Sequence, residues 1–267
     1  MSDPTDITID DIIQFLEQEK ELYGSFTVPL PQKEEVTQEP TTVKSTTEPP
    51  KSDTESLEKS HSPEAVPRQK PLSLEERLAA CTTLDELRSL CETADELRTD
   101  LEATNTVFGV GNPNADLMLI GEAPGEQEDI QGEPFVGAAG QLLNKILKAI
   151  NFEREDVYIA NILKHRPPDN RNPNSEERAR SLPYLLRQID LIQPKLILCL
   201  GKVAGLTLLN KDTTLSSIRG KFHDFRGIEL TVTYHPAALL RKEQWKRPAW
   251  EDVQMVRKRY DELGGKP

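Results

Sequence analysis

The chain has 267 residues, of which 29% are charged and 36% hydrophobic, and its formal net charge is −12. No apolar run approaches the ~20 residues needed to cross a bilayer, so no membrane span is expected. The N-terminus, MSDPTDITID, is acidic and lacks a signal-peptide pattern, which predicts a cytoplasmic protein. Three widely spaced cysteines, Cys81, Cys91 and Cys199, indicate no disulfide framework.

Residues 1–70 differ in composition from the rest of the chain. They hold 15 acids and 7 bases, a net charge of −8, whereas residues 71–267 carry −4. Asp6 to Tyr23 is predicted to form one short amphipathic helix. Thr27 to Lys70 is rich in Pro, Thr, Ser, Glu and Lys, which is typical of a disordered linker. A helix on a long tether favours a peptide that docks onto a protein partner; a helix that folds back or frays is the alternative.

From residue 71 the pattern predicts one folded domain. Helices are expected from Leu74 to Leu78 and from Thr83 to Leu97, and four apolar strands then alternate with further helices. The strands are Asp116–Gly121, Val157–Leu163, Lys195–Gly201 and Glu229–Tyr234, and the helices are Ala139–Ile150, Ser175–Ile192, Val203–Leu209 and Trp250–Leu263. Strands separated by helices predict an α/β fold, with three α/β/α layers around a central four-stranded parallel sheet.

Three polar segments follow the first, second and fourth of these strands. They are 121–140 (GEAPGEQEDIQGEPFVGAAG), 161–168 (NILKHRPP) and 234–241 (YHPAALLR). Open α/β sheets bind ligands at the carboxyl ends of their strands. The three segments are therefore expected to form one cleft.

These motifs, in this order, make roughly residues 75–262 resemble a family 4 uracil-DNA glycosylase, within the wider uracil-DNA glycosylase superfamily. The resemblance implies a monofunctional DNA repair enzyme. Such an enzyme flips uracil out of DNA and hydrolyses its N-glycosidic bond, leaving an abasic site and no strand break. Uracil-containing DNA is then the partner, at the nucleoid of a bacterial-type cell, and the lack of a coiled-coil pattern favours a monomer. Two alternatives stay open: a DNA-binding scaffold that has lost turnover, and a relative that traps the abasic sugar covalently through His165.

The resemblance assigns the base pocket to four residues. Phe135 would stack on uracil, and Asn161 would offer one donor and one acceptor to its O4 and N3–H edge. Gly121 and Ala123 would line the same pocket. The structural alternatives are a core position for Phe135 and a turn or cap for Asn161.

Three residues are expected to serve catalysis. His235 would lie near uracil O2 and donate to the negative charge that develops there, an effect of ~3–4 kcal/mol for one such donor. In another branch of the superfamily an aspartate stands where this chain has Ala123. The group that positions water, or supports the cationic sugar, is therefore expected to be Glu122 first and Asp129 second. A loop-structuring role is the alternative for Asp129.

The expected DNA contacts come from two segments. Leu239, Leu240 or Arg241 would enter the space left by the flipped nucleotide. Lys164, Arg166 and Arg241 would bind phosphates. Solvated loops and helix faces are the alternative explanation for both basic clusters.

The resembled family usually holds a four-iron–four-sulfur cluster on four cysteines. The corresponding positions here are Cys91, Ala94, His165 and Ser181, so only Cys91 is kept. A histidine can ligate iron in some clusters, but Ala94 supplies no ligand. The sequence therefore predicts no cluster and no other metal, with ordinary packing in that region.

Overall fold

Six strands form one sheet within residues 72–266, the part of the chain that the computed structural model describes. The expectations for residues 1–70 lie outside this range. The central strands are apolar along their whole length, because helices cover both faces of the sheet. The strands are β1 (Val110–Gly111), β2 (Leu117–Gly121), β3 (Tyr158–Asn161), β4 (Leu196–Leu200), β5 (His223–Phe225) and β6 (Ile228–Thr233).

The strand order is β1-β3-β2-β4-β6-β5. The four inner strands run parallel, as predicted, and β1 and β5 add antiparallel edges. The predicted strand count of four is therefore corrected to six. The two edge strands have only two and three residues, too few to produce a hydrophobic pattern. His223, expected in a loop, begins β5.

Nine α-helices lie in the described part of the chain; six of them correspond to predicted helices, and the three short helices Glu126–Gln131, Leu215–Ile218 and Pro236–Arg241 were not among those predicted. The nine helices are α1 (Leu74–Ala80), α2 (Leu84–Glu92), α3 (Glu126–Gln131), α4 (Ala138–Ala149), α5 (Ser175–Ile192), α6 (Lys202–Leu209), α7 (Leu215–Ile218), α8 (Pro236–Arg241) and α9 (Lys246–Glu262). Capping boxes begin α1, α2 and α5. None of these helices is long and apolar enough to span a membrane.

Alternate side chains of the strands lie on opposite faces of the sheet and belong to two separate hydrophobic cores. Leu117 and Leu119 of β2 pack with α4 and α9 on one face of the sheet. Met118 and Ile120 pack with α5, α6 and α7 on the other face. This alternation is the two-residue period of a strand, and it produces the predicted three α/β/α layers.

A third, smaller core joins the first two helices to α5. Leu87 and Leu97 are buried there against Tyr184, and Cys91 belongs to the same cluster. The predicted helix from Thr83 to Leu97 is interrupted, because α2 ends at Glu92 and a 3-10 turn covers Asp95–Leu97. All three cysteines are buried free thiols.

Candidate active site

The candidate site begins where β2 and β3 end side by side. Gly121, the last residue of β2, pairs in parallel register with Asn161, the last residue of β3. A Cβ atom added to Gly121 would overlap Oδ1 of Asn161 and lie 2.6 Å from Cζ of Phe135. Gly121 therefore lets the Asn161 amide and the Phe135 ring approach one point.

The amide of Asn161 carries an unsatisfied acceptor. Its side chain is buried, with 1% of its surface exposed, and Oδ1 has no hydrogen-bond partner among residues 72–266. A buried polar atom left without a partner costs about 1–3 kcal/mol. Oδ1 of Asn161 can therefore accept a hydrogen bond from a ligand, because no described residue donates to it.

Phe135 is held in a strained conformation beside this amide. Its φ is 54°, a left-handed value that costs a non-glycine residue about 1–3 kcal/mol. Arg154 fixes the backbone by donating from Nη1 to the carbonyl of Phe135 (3.2 Å) and from Nη2 to that of Pro134 (2.5 Å). The ring lies 5.5 Å from the His235 ring, at an interplanar angle of 31°. Strain maintained by such contacts is typical of functional sites.

Glu128 organises the loop, and sequence reasoning missed it. Oε1 accepts from the backbone N–H groups of Val136 and Gly137, both at 2.9 Å, and Oε2 accepts from the N–H of Gly125 at 3.1 Å. One carboxylate thus ties the start of α3 to the start of α4, across Phe135. The Gly125–Glu128 spacing is that of a capping box, the signal that could have identified it.

His235 is the N-cap of α8, and its ring orientation is defined. Nδ1 accepts from the backbone N–H of Ala237 at 3.2 Å. Burial, together with nearby Arg241, lowers the pKa of His235 to about 4. The imidazole is therefore neutral at physiological pH. Because Nδ1 is an acceptor, the single proton lies on Nε2, which makes that atom a neutral hydrogen-bond donor.

The two candidate carboxylates have different surroundings. Burial raises the pKa of Glu122, against the lowering influence of Arg178, and no hydrogen bond is made by its carboxylate within the described residues. Asp129 is engaged: Oδ1 accepts from the backbone N–H of Asn105 at 2.8 Å. Asp129 therefore ties α3 to the segment around Asn105, which fits the structural alternative. Ala123 is half-buried and packs against the core on the α5 face.

Lys164 does not fit the expected phosphate contact. Its side chain is fully buried, and Nζ donates to the carbonyls of Phe108 (3.2 Å) and Asn161 (3.0 Å) and to Oε1 of Gln188 (2.5 Å). Burial lowers the pKa of its ammonium to about 8. Lys164 supports the backbone of Asn161 from inside the core. Arg166 is half-buried and donates from Nε to Oδ1 of Asn170 at 2.8 Å.

The three residues of α8 that were expected to contact DNA differ in how exposed their side chains are. Leu239 lies in the core, with 3% of its surface exposed, so the expectation that it enters DNA is corrected. Leu240 is 53% exposed, an unusual position for a leucine, and Arg241 is also exposed. Leu240 and Arg241 are the members of this group that a DNA strand can reach.

His165, the candidate for covalent trapping, is inaccessible. Its surface is 2% exposed, and Nδ1 and Nε2 lie 2.9 Å and 3.3 Å from the hydroxyls of Thr104 and Thr106. Burial lowers the pKa of its ring, with Arg98 contributing in the same direction. Neither ring nitrogen is free to attack a sugar.

Comparison with known proteins identifies the family. A model of the Uracil DNA glycosylase superfamily matches residues 108–254. The type-4 uracil-DNA glycosylase of Archaeoglobus fulgidus is 44% identical over 171 residues, covering 61% of this chain and 84% of that protein. The chain belongs to the type-4 uracil-DNA glycosylases. The resemblance drawn from the motifs is thereby confirmed.

Other type-4 uracil-DNA glycosylases match over the same region. The protein of Pyrobaculum aerophilum is 42% identical over 159 residues, which cover 57% of this chain and 81% of that protein. The protein of Thermotoga maritima is 40% identical over 161 residues, which cover 59% of this chain and 84% of that protein. The match thus extends to most of each relative's length.

Family membership overturns the prediction that the protein carries no iron–sulfur cluster. The relatives are type-4 enzymes, and this family is known to carry such a cluster. Residues 72–266 contain no group of three or more His, Cys, Asp or Glu side chains suited to a metal, which does not establish that a cluster is absent. The prediction was wrong because it concluded absence from the loss of cysteines alone.

Four positions correspond to the cluster cysteines of the family. Their side chains, those of Cys91, Ala94, His165 and Ser181, do not themselves make a ligand set for a cluster. Cys91 supplies one buried sulfur atom among these positions. Ala94 has no donor atom, and His165 is bonded to two threonines.

Proposed function

We propose that this type-4 uracil-DNA glycosylase flips uracil out of DNA, binds it between Phe135 and Asn161, and hydrolyses its N-glycosidic bond. The observation that carries the proposal is the buried, unpartnered Oδ1 of Asn161. Uracil offers an N3–H donor to that oxygen and an O4 acceptor to the amide nitrogen. Cytosine has an acceptor at N3 and a donor at C4, so a fixed amide rejects it.

His235 supports the departure of the base. When the glycosidic bond breaks, its electron pair remains with uracil, and negative charge spreads to O2. A neutral histidine whose Nε2–H faces that oxygen stabilises the anion without giving up its proton. The low pKa of His235, about 4, keeps it in this form, and one such donor lowers the barrier by about 3–4 kcal/mol.

Glu122 is the proposed group for the sugar and the water. The sugar becomes cationic as the base leaves, and an ionised carboxylate opposes that charge. A water oxygen then bonds to C1′, and the proton released from that water ends on the uracil anion. Glu122 is preferred over Asp129, because the Asp129 carboxylate is already occupied by the Asn105 backbone.

The proposed DNA contacts lie on α8. Leu240 would fill the space that the flipped nucleotide leaves, as exposed apolar side chains do in other DNA-distorting proteins. Arg241 would bind a neighbouring phosphate. A monomeric state, and a protein partner for residues 6–23, stay predictions.

One assay separates the proposal from its alternatives. The full-length protein is incubated with a uracil-containing oligonucleotide, and samples are treated with alkali or with SDS. Strand scission that appears only after alkali supports excision. Binding without scission would instead support a scaffold without turnover, and a protein–DNA band that survives SDS would support covalent trapping.

A further inference from the structure

A buried carboxylate lies behind the His235 turn and does not touch the pocket. Asp252 of α9 is 1% exposed, yet both of its oxygens are engaged. Oδ2 accepts from Nε of Arg219 at 3.0 Å and from the hydroxyl of Thr233 at 2.7 Å, and Oδ1 accepts from Nη2 of Arg219 at 2.8 Å. Thr233 is the last residue of β6, two positions before His235.

Arg219, which follows α7, extends this network to the next residue of the turn. Its guanidinium carbon lies 5.2 Å from the centroid of the Tyr234 ring. Tyr234 in turn stacks on Trp245, with ring centroids 5.0 Å apart and planes at 17°. Nη2 of Arg219 also donates to the carbonyl of Pro248 at 2.6 Å. The two residues immediately before His235 are thus each held by one member of a single ion pair.

This buried ion pair is expected to add little to the free energy of unfolding. Asp252 and Arg219 are 1% and 19% exposed, and a pair this deeply buried is seldom more stable than apolar residues of the same volume. The bidentate geometry instead fixes how the two side chains are oriented, because the planar guanidinium donates two N–H groups to the two oxygens of the carboxylate. The main effect of the buried ion pair is therefore to fix the backbone direction of the turn before His235.

We propose that Asp252 and Arg219 are positioning residues for His235 in uracil excision, an inference that rests on the proposed function. Within residues 72–266, no hydrogen bond, ion pair or ring contact joins either residue to Phe135, Asn161 or the His235 ring. Asp252 contacts Thr233 and Arg219 contacts Tyr234, and these contacts fix the backbone position from which the His235 imidazole extends. An error of about 1 Å in the placement of a catalytic group can cost on the order of a hundredfold in rate.

Two mild substitutions test this proposal without leaving a buried charge unpaired. Thr233→Val removes the hydroxyl and keeps the shape, and Arg219→Lys keeps the charge and removes the fork. We expect each to lower kcat by about tenfold with KM changed less than twofold. Thr233→Ser, which restores a hydroxyl, should recover most of the lost rate.

The matched control is a different ion pair, which joins β6 to α9 as the hydrogen bond from Thr233 to Asp252 does. Glu229 of β6 accepts from Nε of Arg259 in α9 at 2.7 Å, at the opposite end of the strand from His235. Glu229→Gln should leave kcat unchanged. If Glu229→Gln lowers kcat as much as Thr233→Val does, a general loosening of β6 explains both, and the proposal is wrong.

A readout independent of turnover separates this proposal from the proposed function. The imidazole resonances of His235 should move in Thr233→Val and Arg219→Lys and stay in place in Glu229→Gln, even in a protein that excises no uracil. Unmoved His235 resonances in both variants would overturn the positioning role. An inactive wild type with moved resonances would overturn only the excision function.

Discussion

The segments that follow β2 and β3 begin side by side and then use their polar residues in opposite ways. After β2, Glu128 accepts hydrogen bonds from backbone amides on both sides of Phe135. After β3, Lys164 and His165 turn into the core and find their partners there. A position at a strand end thus predicts that residues converge, but the nearby acceptors decide which side chains remain available to a ligand.

The largest effect is expected where the two segments touch, at Gly121. Gly121→Ala would place a methyl group against Oδ1 of Asn161 and the Phe135 ring. We expect excision to fall by more than about a hundredfold, a loss comparable to removing a transition-state donor, because the base can no longer enter. Single-turnover excision measures this.

Gly132→Ala is the control for that substitution. Its φ of 75° disfavours a side chain, which is not the case at Gly121, but no atom lies within 4 Å of the Cβ added at Gly132. It should cost about 1 kcal/mol of stability and leave excision unchanged. Equal losses of excision in the two variants would mean that a general effect of the added methyl group, and not filling of the pocket, is the cause.

The second prediction concerns Glu122 and Asp129 of the first segment. Glu122→Gln should slow excision at least about tenfold, because a neutral amide cannot oppose a cationic sugar. Asp129→Asn should slow it less. A greater loss in Asp129→Asn would reverse the assignment of the carboxylates.

Glu122→Gln should also change how stability depends on pH. Burial raises the pKa of Glu122 in the folded protein, so the folded state holds this proton more tightly than the unfolded state. The stability linked to the proton is present at low pH and is lost as pH rises through the folded pKa. Glu122→Gln should therefore equal the wild type near pH 4 and exceed it at pH 7, as urea unfolding at both pH values would reveal.

The third prediction contrasts a buried cation with an exposed one. Lys164→Met removes three hydrogen bonds, although the Phe108 carbonyl keeps its bond from Nε2 of Gln188. It should lower the free energy of unfolding by about 1–3 kcal/mol, with the salt dependence of DNA binding unchanged. Arg241→Ala should reduce the slope of log K against log[salt] by about 1. A reduced slope in Lys164→Met would restore the original prediction that it binds phosphate.

The last prediction distinguishes two adjacent leucines, and Leu240→Ala is expected to have the smallest effect. Leu239→Ala should cost about 2–5 kcal/mol of stability, because it leaves a cavity in the core. Leu240→Ala should change stability by less than about 0.5 kcal/mol and slow excision from duplex DNA by a few-fold. Thermal unfolding and duplex excision, measured on both variants, check this. A stability loss in Leu240→Ala equal to that in Leu239→Ala would contradict the exposed position.

The sequence predicted most of the fold, because long apolar strands and capped helices have strong local patterns. Asn161 and Phe135 could be brought together from the motifs, since both follow parallel strands. The inward direction of Lys164 could not be predicted, because it depends on carbonyls from Phe108 and on Gln188, which are distant in the chain. For the same reason the Arg219–Asp252 pair had no signal in the sequence.

The most direct test of the proposed pocket is the single-turnover rate of uracil release by the wild type, Asn161→Ala and His235→Ala. Asn172→Ala, an exposed asparagine on the neighbouring loop, serves as the control. The pocket described above predicts that both site variants release uracil at least about tenfold more slowly than the wild type and the control. Unchanged rates in both site variants would contradict it.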